Sequence, residues 1–217
     1  MMLKKIKEVR KKKRQERTAS EVLEEAARTY QSRDKDDTVT INELMHVMHE
    51  RGFGLLLIIF VLPNCIPIPA PGLVSLTALP LLFIAWQLFI GEEYPWLPKF
   101  IGKRTIRRSL LATIVAKATP VMRKVEKLMR PRLSFASSDA GERLIGACCL
   151  VYTVCIAIPL PWTNFIPGWG ILFMALGLLA RDGIIIMLGM LTGLAGTLLT
   201  AAILIFGKVV LHKLGLF

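Results

Sequence analysis

The sequence predicts an all-α, multi-pass integral membrane protein, built from two pseudo-repeated, proline-broken re-entrant helical units with interfacial amphipathic helices beside them. Three observations predict it. Charge is segregated along the chain rather than interleaved. Two long apolar regions are each interrupted by prolines. The two interruptions match one another.

Of 217 residues, 53% are hydrophobic and 20% charged, against about 25% charged in ordinary soluble domains. The charges gather in residues 1–51, in residues 92–143 and at the C-terminal end, so residues 52–91 and 144–206 are almost uncharged. Hydrocarbon makes an unpaired charge costly, whereas a soluble chain interleaves polar and apolar positions at helical or strand period. The net charge of +12 sits in blocks that abut the apolar spans. The positive-inside rule accounts for that placement, and no nucleic-acid partner is expected. Cys65, Cys148, Cys149 and Cys155 lie in apolar stretches without a C-x-x-C pair. They read as packing residues, and neither a metal, a disulfide nor a cofactor is expected. The first apolar run begins about fifty residues in, too late for a cleavable signal peptide.

Residues 1–50 read as a cytoplasmic basic arm with short amphipathic helices. The run 1–17 is either a solvated, disordered or helical tail or an electrostatic attachment to anionic lipid headgroups. Thr18 and Glu21 have capping-box spacing and open a helix over 18–31, and a polar linker, SRDKDD, follows. A second capping box, Thr40 and Glu43, opens a short helix with Ile41, Leu44, Met45 and Met48 on one face. His46 and His49 lie three apart on it, a spacing that could hold a metal. No further ligand set accompanies them, and an exposed polar face is the simpler reading.

Residues 51–217 read as the membrane domain. The first broken unit, 52–91, runs GFGLLLIIFVL, then PNCIPIPAPG, then LVSLTALPLLFIAWQLFIG. A single span needs about 20 residues, so this region is too long for one. Pro63, Pro67, Pro69 and Pro71 cannot share one regular helix. The expectation is a half-helix, a break and a longer helix. Residues 92–143 form a basic connector, amphipathic from 105 to 129, which Pro120 kinks or splits. It reads as lying on the cytoplasmic leaflet; a soluble basic loop is the alternative. The second broken unit, 144–182, runs LIGACCLVYTVCIAI, PLPWTNFIPG and WGILFMALGLLA to an Arg181-Asp182-Gly183 corner. Residues 183–206 are long enough to cross a bilayer once. Gly189 and Gly193 have the G-x-x-x-G spacing of close helix approach.

LPNCIPIPAPG, from Leu62, aligns with IPLPWTNFIPG, from Ile158: Pro63 with Pro159, Pro71 with Pro167, Gly72 with Gly168. Leu82 onward aligns with Leu172 onward, and each unit is preceded by Glu-Arg, at Glu50-Arg51 and Glu142-Arg143. Paired broken spans point to a binding site in transporters. Non-helical backbone at membrane depth survives only buried in protein or lining a wet cavity. The candidate pathway residues are therefore Pro63, Asn64, Pro67, Pro69, Pro71, Gly72 and Gln87 from the first unit. The second unit adds Pro159, Pro161, Thr163, Asn164, Pro167, Gly168, Arg181 and Asp182. A buried turn that only shapes the fold is the equal alternative. Trp162 and Trp169 read as interfacial aromatics. No hydrolase, kinase or nucleotide signature is present, and no enzymatic activity is expected.

At IPIPAPGLVSLTALPLLFIAWQL, at RPRL (Arg130 to Leu133) and at IPLPWTNFIPGWGILFMALGLLARDG the sequence resembles the bacterial exopolysaccharide synthesis family ExoD, over roughly residues 40–210. The resemblance implies a multi-pass protein of the bacterial inner membrane, connected with exopolysaccharide production. It supplies no catalytic residue. The leading expectation is a small-solute or ion transporter with a cytoplasmic N-terminus and its two breaks meeting near the bilayer midplane. Such a protein loses flux when Asn64, Gln87 or Asn164 becomes apolar. The alternative is a non-transporting scaffold that recruits polysaccharide-synthesis machinery or anionic lipid. It fails instead when the Arg and Lys of residues 99–132 are neutralised. A homodimer is expected, because short half-spans need cover.

Overall fold

The computed structural model describes residues 38–48, 50–66, 71–98, 105–107, 138–158 and 163–213, together with Glu21, Glu24, Lys103, Thr113, Ala116, Thr119, Pro120 and Arg123. The fold is mostly helical. In chain order it runs β1 (Thr38–Thr40), α1 (Ile41–Met48), α2 (Glu50–Val61), a 3-10 turn (Leu62–Cys65), α3 (Pro71–Ile90), β2 (Thr105–Arg107), α4 (Asp139–Ala157), α5 (Phe165–Ala180) and α6 (Gly183–Lys213).

The expected capping box starts α1. Thr40 N donates to Glu43 Oε2 at 3.0 Å, and Glu43 N donates to Thr40 Oγ1 at 3.3 Å. Met45 and Met48 face inward and His46 outward. His49 lies outside the described residues. Glu21 and Glu24 are helical, as the first capping box predicts.

The first apolar region breaks as its prolines require. α2 tightens into the 3-10 turn at Pro63, and Ile66 is extended (φ −102°, ψ 127°). α3 then starts on Pro71, whose missing N–H costs nothing at a helix start. Ser138 caps α4 by accepting from Gly141 N at 3.0 Å, with Asp139 and Glu142 in the first turn. Asp182 caps α6, its Oδ1 accepting from Ile184 N at 3.0 Å.

One expectation is overturned. Residues 105–107 are not the start of an amphipathic helix. They form β2 and pair antiparallel with β1, Thr38 opposite Arg107, Val39 opposite Ile106 and Thr40 opposite Thr105. Five of these six residues are β-branched, and such cross-strand pairs favour a ladder. A helical-period reading of either segment alone cannot see that pairing. Thr113, Ala116, Thr119, Pro120 and Arg123 are helical, and Arg123 bonds Glu24 at 2.7 Å. Apart from Lys103, the other residues of 99–137 lie outside the described residues.

The helices form two antiparallel pairs standing side by side, α2 with α3 and α4 with α5. Their outer ends share one end of the fold, called here the root. There His46 stacks on Tyr94, ring centroids 4.5 Å apart, and Gly52 sits against the Pro95 ring, leaving 3.0 Å for an added Cβ. Arg143, at the start of α4, lies on Gly91 just after α3. The proline breaks lie together at the opposite end, the tip. α2 packs along α5, and α3 along α4.

The two helix pairs are built alike. Gly54 follows Glu50-Arg51 at the same interval at which Gly146 follows Glu142-Arg143. Each lets its helix reach a partner's backbone. A Cβ on Gly54 would come 2.9 Å from the Ala175 carbonyl oxygen, and one on Gly146 would come 2.7 Å from Phe89 Cα. α3 and α5 also end alike. Gly91 (φ 85°) and Arg181 (φ 58°) are both left-handed. The next N–H then reaches back, Glu92 N to Gln87 O at 3.1 Å and Asp182 N to Gly177 O at 2.9 Å.

α6 runs back along α5 from root to tip. The G-x-x-x-G face is used inside the chain: Gly189 sits on Met174 and Gly170, Gly193 on the Tyr152 ring, and Gly196 on Pro167. Tyr152 Oη donates to Met190 O at 2.7 Å. The buried stripe of α6 reaches Thr200, about seventeen residues into the helix, so the tips stand about 26 Å from the root end. α6 continues past them to Lys213. Its buried stripe of Ile186, Gly189, Gly193, Gly196 and Thr200 then stops, and Ile203 to Phe206 are consecutively exposed.

A candidate site where the two proline breaks meet

The tips contact each other directly. The 3-10 turn of the first break lies against the first turns of α5, which leave the second. Gly168 makes this possible, because a Cβ there would come 3.1 Å from the Asn64 carbonyl oxygen. Trp169 Nε1 donates to the Cys65 carbonyl at 3.2 Å. Trp169 is therefore a tie between the breaks, which corrects its reading as an interfacial aromatic.

Asn64 is the polar centre of the site and is 3% exposed. Its Nδ2 donates to Thr77 Oγ1 at 2.9 Å and to Phe60 O at 3.3 Å. The Phe60 carbonyl can only accept, so the amide orientation is set and Oδ1 is the acceptor that remains. That oxygen is buried and has no hydrogen-bond donor. A buried acceptor left without a donor is costly.

Thr163 is buried and its Oγ1 lies 3.4 Å from Asn164 Oδ1. Asn164 precedes α5 without a side-chain cap. Pro63 is half-buried in the 3-10 turn, and Pro167 is packed against Gly196. Pro71 and Gly72 are the first residues of α3. Pro67, Pro69, Pro159, Pro161 and Trp162 lie outside the described residues.

Three expected site residues are not at the tips. Gln87 is near the root, where its Nε2 donates to Trp96 O at 2.9 Å and its Oε1 accepts from Trp96 N at 2.6 Å. It holds the loop after α3. Arg181 and Asp182 make the root-side corner between α5 and α6. Buried charge is also a root feature, in Arg51, Glu142 and Asp182. The hydroxyls of Thr153, Thr192, Thr197 and Thr200 bond carbonyls of their own helices four residues back. Sequence reasoning missed Gly54 and Gly146, the close-approach points of α2 on α5 and of α4 on α3. The repeated E-R-x-x-G spacing was the available signal for the glycines.

The family described as "Exopolysaccharide synthesis, ExoD" matches residues 19–202. An uncharacterized protein of Synechocystis is 31% identical over 175 residues, covering 80% of this chain and 82% of that protein. Protein ExoD of Rhizobium meliloti is 32% identical over 156 residues, covering 70% of this chain and 65% of that protein. No solved structure matches significantly.

Proposed function

The chain belongs to the ExoD family of exopolysaccharide-synthesis proteins, and on that premise we propose that it serves this process from within the bacterial inner membrane as a small-solute transporter. Its two proline-broken tips form the pathway. The observation that carries the reading is the level at which the tips stop. Their cover on α6 ends at Thr200, partway along the helix, and Ile203 to Phe206 beyond it are exposed.

Two helices, Asp139–Ala157 and Gly183–Phe206, are long and apolar enough to cross a membrane, by length and composition. Leu76, Leu79, Phe83 and Trp86 on α3 are exposed, as are Met187, Leu191 and Leu194 on α6. An apolar surface of this extent is stable facing lipid and costly facing water. Trp86, Phe89 and Trp96 are exposed near the root, at the headgroup level that aromatic residues favour. With the root at one interface, tips about 26 Å deep stop just short of the far side of a hydrocarbon core about 30 Å thick. Both helix pairs are then re-entrant, and their like construction makes them a duplicated unit. The charged blocks 1–51 and 92–143 adjoin the root ends of α2, α3 and α4 in the sequence, so in this reading the root and N-terminus are cytoplasmic by the positive-inside rule. The end of α6 is on the far side. Break backbone at this depth needs protein or water around it. A wet pathway supplies the water, and a second copy of the chain supplies further cover. The function needs no catalytic step.

Two experiments test this. Alkaline phosphatase fused after Lys213 is active if the C-terminus is outside, and inactive if α6 does not cross. Purified protein in liposomes is assayed for uptake of small solutes. Folded protein that moves none, yet fails in cells when the connector's Arg and Lys are neutralised, is a scaffold.

A further inference from the structure

Asn64 stands in the 3-10 turn of the first break, 97% removed from solvent, with Nδ2 held by Phe60 and Thr77 and Oδ1 without a donor. A buried acceptor in that state is costly unless something supplies a hydrogen.

The surroundings restrict what can supply that donor. Residues 52–91 and 144–180 contain no Lys, Arg, His, Asp or Glu. An ion at the tips would therefore meet no countercharge, and one unpaired amide oxygen is far short of the shell of oxygens that replaces an ion's hydration. A neutral solute escapes that cost and needs only a hydroxyl or amine hydrogen for the waiting oxygen. Resting on the pathway reading above, we propose that the Asn64–Thr77 pair is a solute contact at the tips, and that it takes an uncharged, hydroxyl-bearing small molecule rather than an ion. The solute donates to Asn64 Oδ1 beside the 3-10 turn.

The test uses full-length protein in liposomes. Glycerol and erythritol entry is followed by stopped-flow light scattering, and potassium and chloride flux by dye-reported membrane potential. The wild type is compared with Asn64→Leu and Thr77→Val, all checked for folding by size-exclusion profile and circular dichroism. The expected result is polyol entry without ion flux, slowed about tenfold or more in Asn64→Leu, the scale on which a site tuned to a hydroxyl suffers when its partner is removed. Thr77→Val, which leaves the acceptor in place, slows it less. Ion flux without polyol entry overturns the solute class and leaves the pathway standing. Polyol entry unchanged in a folded Asn64→Leu overturns the contact. Neither flux from folded wild type removes the pathway reading itself, and this inference with it.

Discussion

Gly146→Ala tests the close packing on which the paired helices depend. The added Cβ would stand 2.7 Å from Phe89 Cα and 2.8 Å from the Leu88 carbonyl carbon. Both are backbone atoms, so no side chain can rotate away. Carbon atoms rest at about 3.5–4.0 Å, and α4 must therefore draw back from α3 by about 1 Å. A gap of that size forfeits a quarter to a half of each dispersion contact along the seam. Overpacking of this kind costs about 1–3 kcal/mol. Alanine's better helix propensity returns about 0.5–1 kcal/mol, leaving a net loss of about 1–2 kcal/mol. The matching change, Gly54→Ala, meets the Ala175 oxygen at 2.9 Å and then Leu179 N at 3.3 Å. It needs a smaller shift and costs less, about 0–1 kcal/mol. Reversible unfolding in mixed detergent micelles, with circular dichroism as readout, measures both. Gly146→Ala as stable as wild type, or less damaging than Gly54→Ala, would refute the reasoning.

Trp169→Phe keeps the ring but deletes the donor to the Cys65 carbonyl, and a loss of about 1 kcal/mol in the same assay is expected. Gly91→Ala places a side chain at φ 85° and 2.9 Å from Arg143 Nε; the left-handed backbone alone predicts a loss of about 1–2 kcal/mol. Val39→Asp puts a carboxylate at a buried position of β1 opposite Ile106. It should release the ladder, read as faster protease cleavage near residues 38–40 with the helical circular dichroism retained.

Much of the fold was legible because its cause is local. Pro63 ends α2 and Pro71 opens α3, because a proline ring supplies no N–H and clashes with the preceding turn. Thr40 with Glu43 marks a helix start, as two groups three residues apart satisfy each other's backbone donors. Gly189 and Gly193 announce close approach, and α6 uses them against α5 and Tyr152. The β1–β2 ladder was not legible, because Thr38–Thr40 and Thr105–Arg107 satisfy their backbone only across a long stretch of chain. Gln87 misled for a related reason. A polar residue in an apolar run suggests a pathway, yet its amide serves the Trp96 backbone at the root.

The sequence by itself determined that two apolar regions break and where they break. Those facts follow from proline's missing donor and from the cost of charge in hydrocarbon, and neither depends on neighbours. Only the tertiary structure decided that both breaks lie at one end, that Gly168 and Trp169 join them to Asn64 and Cys65, and that α6 passes beyond them. Depth and contact are relations between helices, set by how near two backbones can come. Gly54, Gly146 and Gly196 control that distance through partners far away in the chain.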